Sequence, residues 1–281
     1  MVSMRFHRGL FMVNYMGNIE EIRGFHMIFD THAHYDDEQF DIDRDSLLLS
    51  MKENGIGTIV NIGANLASSE TTLELAHKYD FIYAAVGVHP SDCAELSEDN
   101  FDRIRQMSAD EKCVAIGEIG LDYYWPEPDH ELQKKWFVRQ LDLARQVELP
   151  VVIHSRDAAA DTVQILKDNN AGDIGGVVHC FSYSKEVALE CVKMGFYIGV
   201  GGVLTFKNGK KMKEVVSEIP MEKIILETDC PYLAPEPNRG KRNSSLNLPY
   251  VVKAMAEIKG ISEQEVIDIT EQNARSMYRI G

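Results

Sequence analysis

The chain has 281 residues, of which 44% are hydrophobic and 26% are charged, and its formal net charge at pH 7 is −15. A protein this acidic lacks the broad cationic face that wraps duplex nucleic acid, so metal ions and local cations would have to attract any anionic substrate. No apolar run approaches the roughly 20 residues that span a bilayer, and we therefore expect no membrane segment. The length suits one large domain.

The cysteine pattern indicates a reducing compartment. Five cysteines are scattered without any C-x-x-C pair, at positions 93, 113, 180, 191 and 230, so we expect free thiols and a cytoplasmic protein. Cys180 and Cys230 directly follow His179 and Asp229. Because neighbouring residues of a strand face opposite sides, we expect both thiols to pack outward against helices.

Residues 1–26 include Arg5 and Arg8 followed by a short apolar run, Leu10–Val13. The run is too short for a signal peptide and no Ala-x-Ala cleavage site follows it, so we expect no export. We interpret 1–26 as a loosely ordered extension or a mis-assigned start, and 27–281 as the domain.

From Met27 onward, apolar strand-like runs alternate with amphipathic stretches. Strands are predicted near 27–32, 57–63, 81–88, 113–119, 149–154, 175–180, 196–202 and 224–228. Helices are predicted near 43–54, 68–79, 98–108, 130–147, 157–169, 184–194, 208–218, 247–259 and 263–279. Such alternation gives parallel strands and favours a closed (β/α)₈ TIM barrel, although the pattern alone also allows an open doubly wound sheet.

Polar side chains end several of these strands. His32 and His34 are separated by one residue at the end of the first strand, so both rings face the same side and can bind one cation. Later apolar runs carry further histidines and acids at or near their ends: His89, Glu118, His154, His179 and Asp229. In a barrel these residues would meet at the end of the strands where active sites lie.

Each of these residues also has a purely structural explanation. His154 and His179 could be buried histidines bonded to backbone carbonyls, Glu118 could pair with Arg156, and Asp229 could cap a turn. Jointly those explanations require six coincidences at strand ends, so a shared metal site is favoured.

Four motifs carry a family resemblance. They are Gly-Glu-Ile-Gly-Leu-Asp-Tyr at 117–123, Pro-Val-Val-Ile-His-Ser-Arg-Asp-Ala at 150–158, Glu-Thr-Asp-Cys-Pro-Tyr-Leu-Ala-Pro at 227–235 and Arg-Gly-Lys-Arg-Asn at 239–243. In content and order the chain from about Met27 to its C-terminus resembles the TatD family of metal-dependent nucleases, within the amidohydrolase-like hydrolases.

The resemblance implies a site for two divalent metal ions. Glu118 would bridge them, and Asp229 would also orient or deprotonate the attacking water. One ion would be held by Glu118 with His32, His34 and Asp229, and the other by Glu118 with His154 and His179. Imidazole ligands suit zinc or manganese, whereas nuclease activity in the family is associated with magnesium, so Mg, Zn or Mn remain open.

Substrate contacts are also expected by the resemblance and by side-chain chemistry. His89 precedes Pro90 and would touch the substrate phosphate, unless it is an ordinary turn histidine. Glu227 faces the same side as Asp229 and would accept a hydrogen bond from a ligating histidine. The arginine and lysine side chains predicted to contact phosphate are Arg156, Arg239, Lys241 and Arg242.

Three aromatic residues follow the fourth strand, Tyr123, Tyr124 and Trp125. A nucleobase could stack on an exposed ring there, but packing in the core or in a lid is an equal alternative. The chain departs from the family where Ser244 and Ser245 replace an acidic residue and a proline after Asn243. That departure leaves the metal ligands in place and bears on substrate preference.

We therefore predict a monomeric, metal-dependent deoxyribonuclease that acts on the ends of single-stranded DNA as a 3′-to-5′ exonuclease. One alternative keeps the metal-activated water but changes the bond, as in an amide or ester hydrolase such as an aminoacyl-tRNA deacylase. A second alternative is a non-enzymatic quality-control protein with a structural metal, in which no coordination position stays open.

Overall fold

A computed structural model describes residues 27–281, and the predicted extension at 1–26 lies outside the described residues. The strands are β1 Ile28–Ala33, β2 Ile56–Ile62, β3 Ile82–Val86, β4 Cys113–Asp122, β5 Val151–Arg156, β6 Gly176–Val178, β7 Tyr197–Val200 and β8 Ile224–Leu226. The α-helices are α1 Arg44–Ser50, α2 Leu66–Lys78, α3 Glu98–Ser108, α4 His130–Val147, α5 Ala159–Asp168, α6 Lys185–Lys193, α7 Lys210–Glu218, α8 Leu248–Lys259 and α9 Glu263–Tyr278.

The eight strands are parallel and pair in chain order, from β1 to β8. The backbone N–H of Asp229 donates to the carbonyl of His32 at 2.9 Å, and Ala33 forms a parallel bridge with Cys230. These contacts join the last strand to the first. The predicted (β/α)₈ barrel is therefore confirmed, and the open sheet, whose order would be interrupted by crossovers, is excluded.

The strands are apolar because parallel strands in a barrel are covered on both faces. All ten residues of β4 are buried, including Glu118 and Asp122. A carboxylate in such a strand needs compensating hydrogen bonds or charges, since burial of an uncompensated charge costs far more than any apolar contact returns. Histidines at the C-terminal ends of other strands supply this compensation to Glu118 and Asp122.

The last helix, α9, covers the opposite end of the barrel. Asn273 donates to the carbonyl of Ile224 at the start of β8, and the Tyr278 hydroxyl donates to the carbonyl of Thr31 at 2.7 Å. Tyr278 also stacks on Phe29 with a centroid separation of 6.0 Å. Helix α9 therefore packs at the end of the barrel away from the strand ends that carry the predicted ligands. No helix among the described residues is long and apolar enough to cross a membrane.

Gly120 lets β4 approach β5 closely, beside the metal-capable residues. Its φ is +141°, and a Cβ there would lie 2.0 Å from the carbonyl oxygen of His154. A side chain at this position would therefore push apart the two strands that carry Glu118 and His154.

We expect Gly120→Ala to cost several kcal/mol of unfolding free energy, because it combines a disfavoured φ with a backbone clash. Gly55→Ala is the matched control, since Gly55 also has a positive φ, +82°, but open space around it; that change should cost about 1–2 kcal/mol. Urea unfolding of both variants measures the difference. Equal losses would show that the close approach of β4 and β5 does not constrain residue 120.

Candidate metal centre

The six predicted metal ligands meet at the C-terminal end of the barrel. His154 Nδ1 lies 2.8 Å and His179 Nε2 lies 2.6 Å from Glu118 Oε1. His32 Nε2 and His34 Nε2 are 3.1 Å apart, and His34 Nε2 lies 3.5 Å from Asp229 Oδ1. Residues separated by up to 197 positions thus share one small volume.

Glu118 stands at the centre of this group, and its two oxygens face different partners. Oε1 contacts His154 and His179, whereas Oε2 lies 3.5 Å from His32 Nε2 and 3.8 Å from His34 Nε2. The carboxylate therefore lies between two sets of imidazoles. A carboxylate placed in this way could serve one cation on each of its oxygens.

The donor set fits divalent cations. Ring nitrogens that approach within 3.1–3.2 Å, as in the pairs His32–His34 and His154–His179, cannot all be protonated without repulsion. Among the described residues, three groups of side chains could each hold an ion: His32, His34 and Asp229; His32, Glu118 and His179; and His89, Glu118 and His154. Imidazole and carboxylate ligands together suit zinc or manganese, and magnesium is less favoured by the nitrogen donors.

The local backbone orients individual ligands. His34 Nδ1 lies 2.9 Å from the carbonyl oxygen of Ile62, so a proton on Nδ1 leaves Nε2 free to face Asp229 and Glu118. Asp229 has a φ of +56°, a left-handed conformation that Asp tolerates better than most residues. That conformation turns the chain after β8 so that the Asp229 carboxylate faces the barrel axis with the histidines.

His89 is brought to the same centre, with Nε2 3.7 Å from Glu118 Oε1 and its ring 4.2 Å from that of His154. Its Nδ1 accepts the backbone N–H of Ser91 at 3.1 Å, so the neutral ring carries its proton on Nε2. Burial, and then the nearby charge on His154, lower the pKa of His89 to about 3. His89 is therefore a neutral N–H donor facing the centre.

Asp122 is a site residue that the sequence analysis missed. Its Oδ2 lies 3.0 Å from His154 Nε2, opposite the nitrogen that contacts Glu118. Burial opposes protonation of His154, but its hydrogen bonds to Asp122 and Glu118 raise its pKa to about 9. The available signal was the spacing of Glu118 and Asp122, since residues four apart on one strand face the same side.

Asp30 is a second missed residue, fully buried in β1. Its carboxylate accepts the backbone N–H and the hydroxyl of Thr228 at 3.0 and 2.7 Å, the Ser245 hydroxyl at 2.6 Å and the backbone N–H of His32 at 3.3 Å. Asp30 thereby ties β1 to the segment that carries Asp229. Ser245, one of the departures from the family pattern, is used in this buried network.

Glu227 has a different partner from the one predicted. Instead of accepting a hydrogen bond from a ligating histidine, its Oε1 accepts the backbone N–H of Cys180 at 2.6 Å, and its Oε2 has no hydrogen-bond partner among residues 27–281. A Cβ on Gly199 would lie 2.2 Å from Oε2, so glycine leaves room for it. Burial raises the pKa of Glu227 to about 8, which keeps this carboxyl protonated at neutral pH.

The prediction for Cys180 also needs correction. Cys180 lies beyond the end of β6 with a φ of +43°, so strand alternation does not apply to it, and it lines a small cavity with Glu227 and Asp229. Burial, followed by the neighbouring carboxylates, raises its pKa well above the ordinary value. The group is thus a neutral thiol. Cys230 is fully buried, but it too lies beyond the end of its strand, β8, so strand alternation does not apply to it either.

Arg242 is already paired inside the protein. Its guanidinium donates to both carboxylate oxygens of Asp43, at 2.8 and 2.6 Å, and to the carbonyl of Gln39 at 2.6 Å. Its carbon also lies 4.7 Å from the ring centroid of Phe40. This pairing argues against the predicted phosphate contact, and we revise the role of Arg242 to fixing the loop after β8 against the turn after β1.

The other predicted phosphate contacts are less constrained. The guanidinium of Arg156 lies 3.8 Å from the ring centroid of Tyr124, and that of Arg239 lies 4.2 Å from the ring of Phe206. Lys241 reaches only the side-chain oxygen of Asn238, at 3.5 Å. Within residues 27–281, none of these three cations forms an ion pair with a carboxylate, so their charge is available to an anion.

Comparison with known proteins shows which family the chain resembles in sequence and in fold. The family model of TatD related DNases matches residues 29–279. An uncharacterized metal-dependent hydrolase, YabD of Bacillus subtilis, is 46% identical over 255 residues, which cover 91% of this chain and 100% of the relative. A 3′-5′ ssDNA/RNA exonuclease, TatD of Shigella flexneri, is 31% identical over 260 residues, covering 90% of this chain and 100% of the relative. The crystal structure of YJJV, a TatD homologue from Escherichia coli, superposes with a TM-score of 0.85 at 30% identity, covering 90% of this chain and 98% of that chain.

Binding of a divalent cation should release protons. Burial lowers the pKa of His34, but its contact with Asp229 and the charge of Glu118 outweigh that effect and raise the pKa to about 9, as for His154. Both rings are protonated near neutral pH and must be neutral to bind a metal, so affinity should rise with pH until about pH 9. Calorimetry in two buffers of different ionisation enthalpy should detect release of about two protons near pH 7.

His34→Gln should lower the number of protons released on metal binding by about one. The control is His77→Gln, because His77 is exposed and paired with Asp110 outside the centre; it should leave the release unchanged. An affinity that stays constant between about pH 6.5 and 9 would contradict this assignment of the protons.

Proposed function

The chain belongs to the family of TatD-related DNases, and from that premise we propose that this metal-dependent hydrolase cleaves phosphodiester bonds at the 3′ ends of single-stranded nucleic acid, DNA in particular. The observation that carries the proposal is the position of Glu118, whose two oxygens face two separate sets of histidines beside Asp229. Phosphodiester hydrolysis requires stabilisation of both the attacking and the leaving oxygen, and paired cations suit that requirement.

The proposed ligands divide between the two oxygens of Glu118. His32, His34 and Asp229 would hold one divalent ion on the Oε2 side, and His154 and His179 would hold the other on the Oε1 side. These ions would act as Lewis acids toward the phosphoryl group and the attacking water. The supporting donor set is consistent with zinc or manganese, with magnesium as the third candidate.

Asp229 is the proposed proton acceptor. Burial raises its pKa, but its contact with His34 and the charges of the neighbouring histidines lower the pKa below the ordinary value, so it is ionised at neutral pH. Its carboxylate also remains partly accessible, with 18% of its side-chain surface exposed. An ionised, accessible carboxylate beside the ligands can orient a water molecule and take its proton.

His89 is the proposed contact to the phosphoryl oxygens. Its neutral ring carries a proton on Nε2 and faces Glu118 at 3.7 Å. A fixed neutral donor stabilises charge that develops on a phosphoryl oxygen without repelling nearby cations. Arg156, Arg239 and Lys241 would bind phosphates further from the reacting bond.

The proposed setting is a monomer in the cytoplasm. All five cysteines are free, which supports a reducing compartment. A chain with a net charge of −15 should contact few phosphates, so recognition would be confined to a strand end. A flexible single strand can lead its terminal linkage to recessed ligands, whereas a duplex must first fray.

We expect stepwise release of mononucleotides from the 3′ end of a 5′-labelled single-stranded DNA, at a higher rate than from a blunt duplex. The assay compares Mg²⁺, Mn²⁺ and Zn²⁺, and a chelator should stop the reaction. Glu118→Gln and Asp229→Asn should lower kcat by at least about a hundredfold, because each removes charge needed at the reacting centre. The control is Glu53→Gln, which should leave kcat unchanged. Glu53 is an exposed carboxylate before β2, at the other end of the barrel.

Three results would contradict parts of the proposal. Cleavage of a circular single strand at a comparable rate would refute the action at ends. Hydrolysis of an aminoacyl-tRNA or another ester or amide, without cleavage of any DNA or RNA, would show that the same site acts on a different bond. Metal binding without hydrolysis of any of these substrates would favour a structural metal.

Binding of single-stranded DNA should weaken only slightly as the salt concentration rises. If Arg156, Arg239 and Lys241 are the phosphate contacts, the log–log slope for a single strand should be about −2, since each neutralised phosphate contributes about −0.7. Arg156→Gln should make the slope shallower by about that increment, and Lys52→Gln, at the opposite end of the barrel, should leave it unchanged. A slope steeper than about −5 would reveal a broad cationic surface instead.

A further inference from the structure

Two consecutive aromatic side chains stay exposed directly after β4. The exposed fractions of Tyr124 and Trp125 are 52% and 53%, and their rings form an edge-to-face pair at 4.8 Å and 89°. Their neighbour Tyr123 is packed instead, because its ring stacks on His130 at 3.6 Å and its hydroxyl donates to Asp161. Two adjacent exposed rings offer aromatic faces on which a nucleobase can stack.

A cation lies against this pair. The guanidinium carbon of Arg156 is 3.8 Å from the ring centroid of Tyr124, close enough for a cation–π contact. Arg156 is exposed and has no carboxylate partner among residues 27–281. In a chain with 44 acidic residues against 29 lysines and arginines, an unpaired guanidinium beside the metal-capable residues is suited to an anionic ligand.

Hydrogen bonds connect the pair to the metal centre. The backbone N–H of Tyr124 donates to Asp122 Oδ1 at 3.0 Å, while Asp122 Oδ2 contacts His154 Nε2 at 3.0 Å. Arg156 is two residues beyond His154 on β5, and its carbonyl accepts the backbone N–H of Tyr123. The exposed rings therefore lie at the rim of the same site, on the side of β4 and β5.

We propose that Tyr124, Trp125 and Arg156 form a stacking platform for a nucleobase of the single strand, next to the nucleotide that is cleaved. The inference rests on the proposed function. An aromatic face binds any base, and each stacked base contributes about 1–3 kcal/mol. The guanidinium, whose carbon lies 3.8 Å from the ring centroid of Tyr124, offers N–H donors to the adjoining phosphate. The platform thus selects unpaired bases, since a paired base is stacked within its own helix.

A kinetic cycle tests the platform. Tyr124→Leu and Trp125→Leu keep apolar bulk but remove the aromatic face, and each should raise KM by about tenfold while kcat stays within about twofold, because a base beside the reacting linkage is bound equally in ground and transition states. Tyr250→Leu is the control, since Tyr250 is 42% exposed on α8. Circular dichroism and thermal unfolding verify that each variant is folded.

The second arm of the cycle removes the base instead of the ring. The oligonucleotide keeps its 3′-terminal nucleotide intact and carries abasic sites directly on the 5′ side of that nucleotide. It should show the same rise in KM with the wild-type protein, and no further rise with the leucine variants. That lack of additivity identifies a direct contact between base and ring. Unchanged KM for the variants, or independent effects of base and ring removal, would overturn the platform.

Fluorescence gives a readout that does not depend on turnover. The chain has two tryptophans, and Trp136 is buried with 2% exposure, so quenching by a ligand reports mainly on Trp125. With the metal-loaded protein, a strand whose 3′-terminal linkages are non-hydrolysable phosphonates should quench the emission, and its abasic counterpart should not. Trp125→Leu provides the baseline from Trp136.

Failure of the proposed function and failure of the stacking platform can be told apart. If the wild-type protein cleaves no oligonucleotide with any divalent metal, the proposed function fails, and the quenching titration still decides the platform. Base-dependent quenching would then support it, and equal or absent quenching by the two strands would overturn it.

Discussion

The structure depends on one buried charge, the carboxylate of Glu118, which is 3% exposed in the middle of an apolar strand. Burial alone would raise its pKa, but the histidines around it hold the pKa well below the ordinary value. A buried carboxylate is tolerated only when it is fully compensated. That compensation comes, at distances of 2.6 to 3.8 Å, from four histidines in or directly after three other strands: His32, His34, His154 and His179. The ring nitrogens of such a cluster can bind either protons or metal cations. The exchange of protons for cations is the basis of a metal-dependent site.

The barrel makes the compensation possible. Parallel strands bring their C-terminal ends to one rim, and α9 covers the other end through Tyr278 and Asn273. Buried carboxylates then anchor the ligands: Asp30 joins β1 to the segment after β8, and Asp122 holds His154 from the side away from Glu118. Displacement of either carboxylate would therefore alter the geometry of the ligands.

Much of the site could be predicted from the sequence because strand periodicity and local spacing are properties of the chain itself. The pair His32 and His34, and the ends of β4, β5 and β8, followed from alternation of apolar and polar residues. Asp122 could have been found by the same rule, from its distance of four residues to Glu118. Arg242 could not have been interpreted correctly, since its partner Asp43 is 199 positions away.

The sequence by itself determined the alternation of parallel strands with helices, the end at which polar side chains gather and the chemical types in the centre, because each follows from hydrophobic pattern and from motifs within a few residues. The closure of the sheet into a barrel depends on contacts between β1 and the segment after β8. Only the tertiary structure decided which side chains meet. Tyr123, Tyr124 and Trp125 are adjacent aromatics with the same local preference, yet Tyr123 is packed on His130 and the next two are exposed. Packing against α4, which no local pattern encodes, separates their roles.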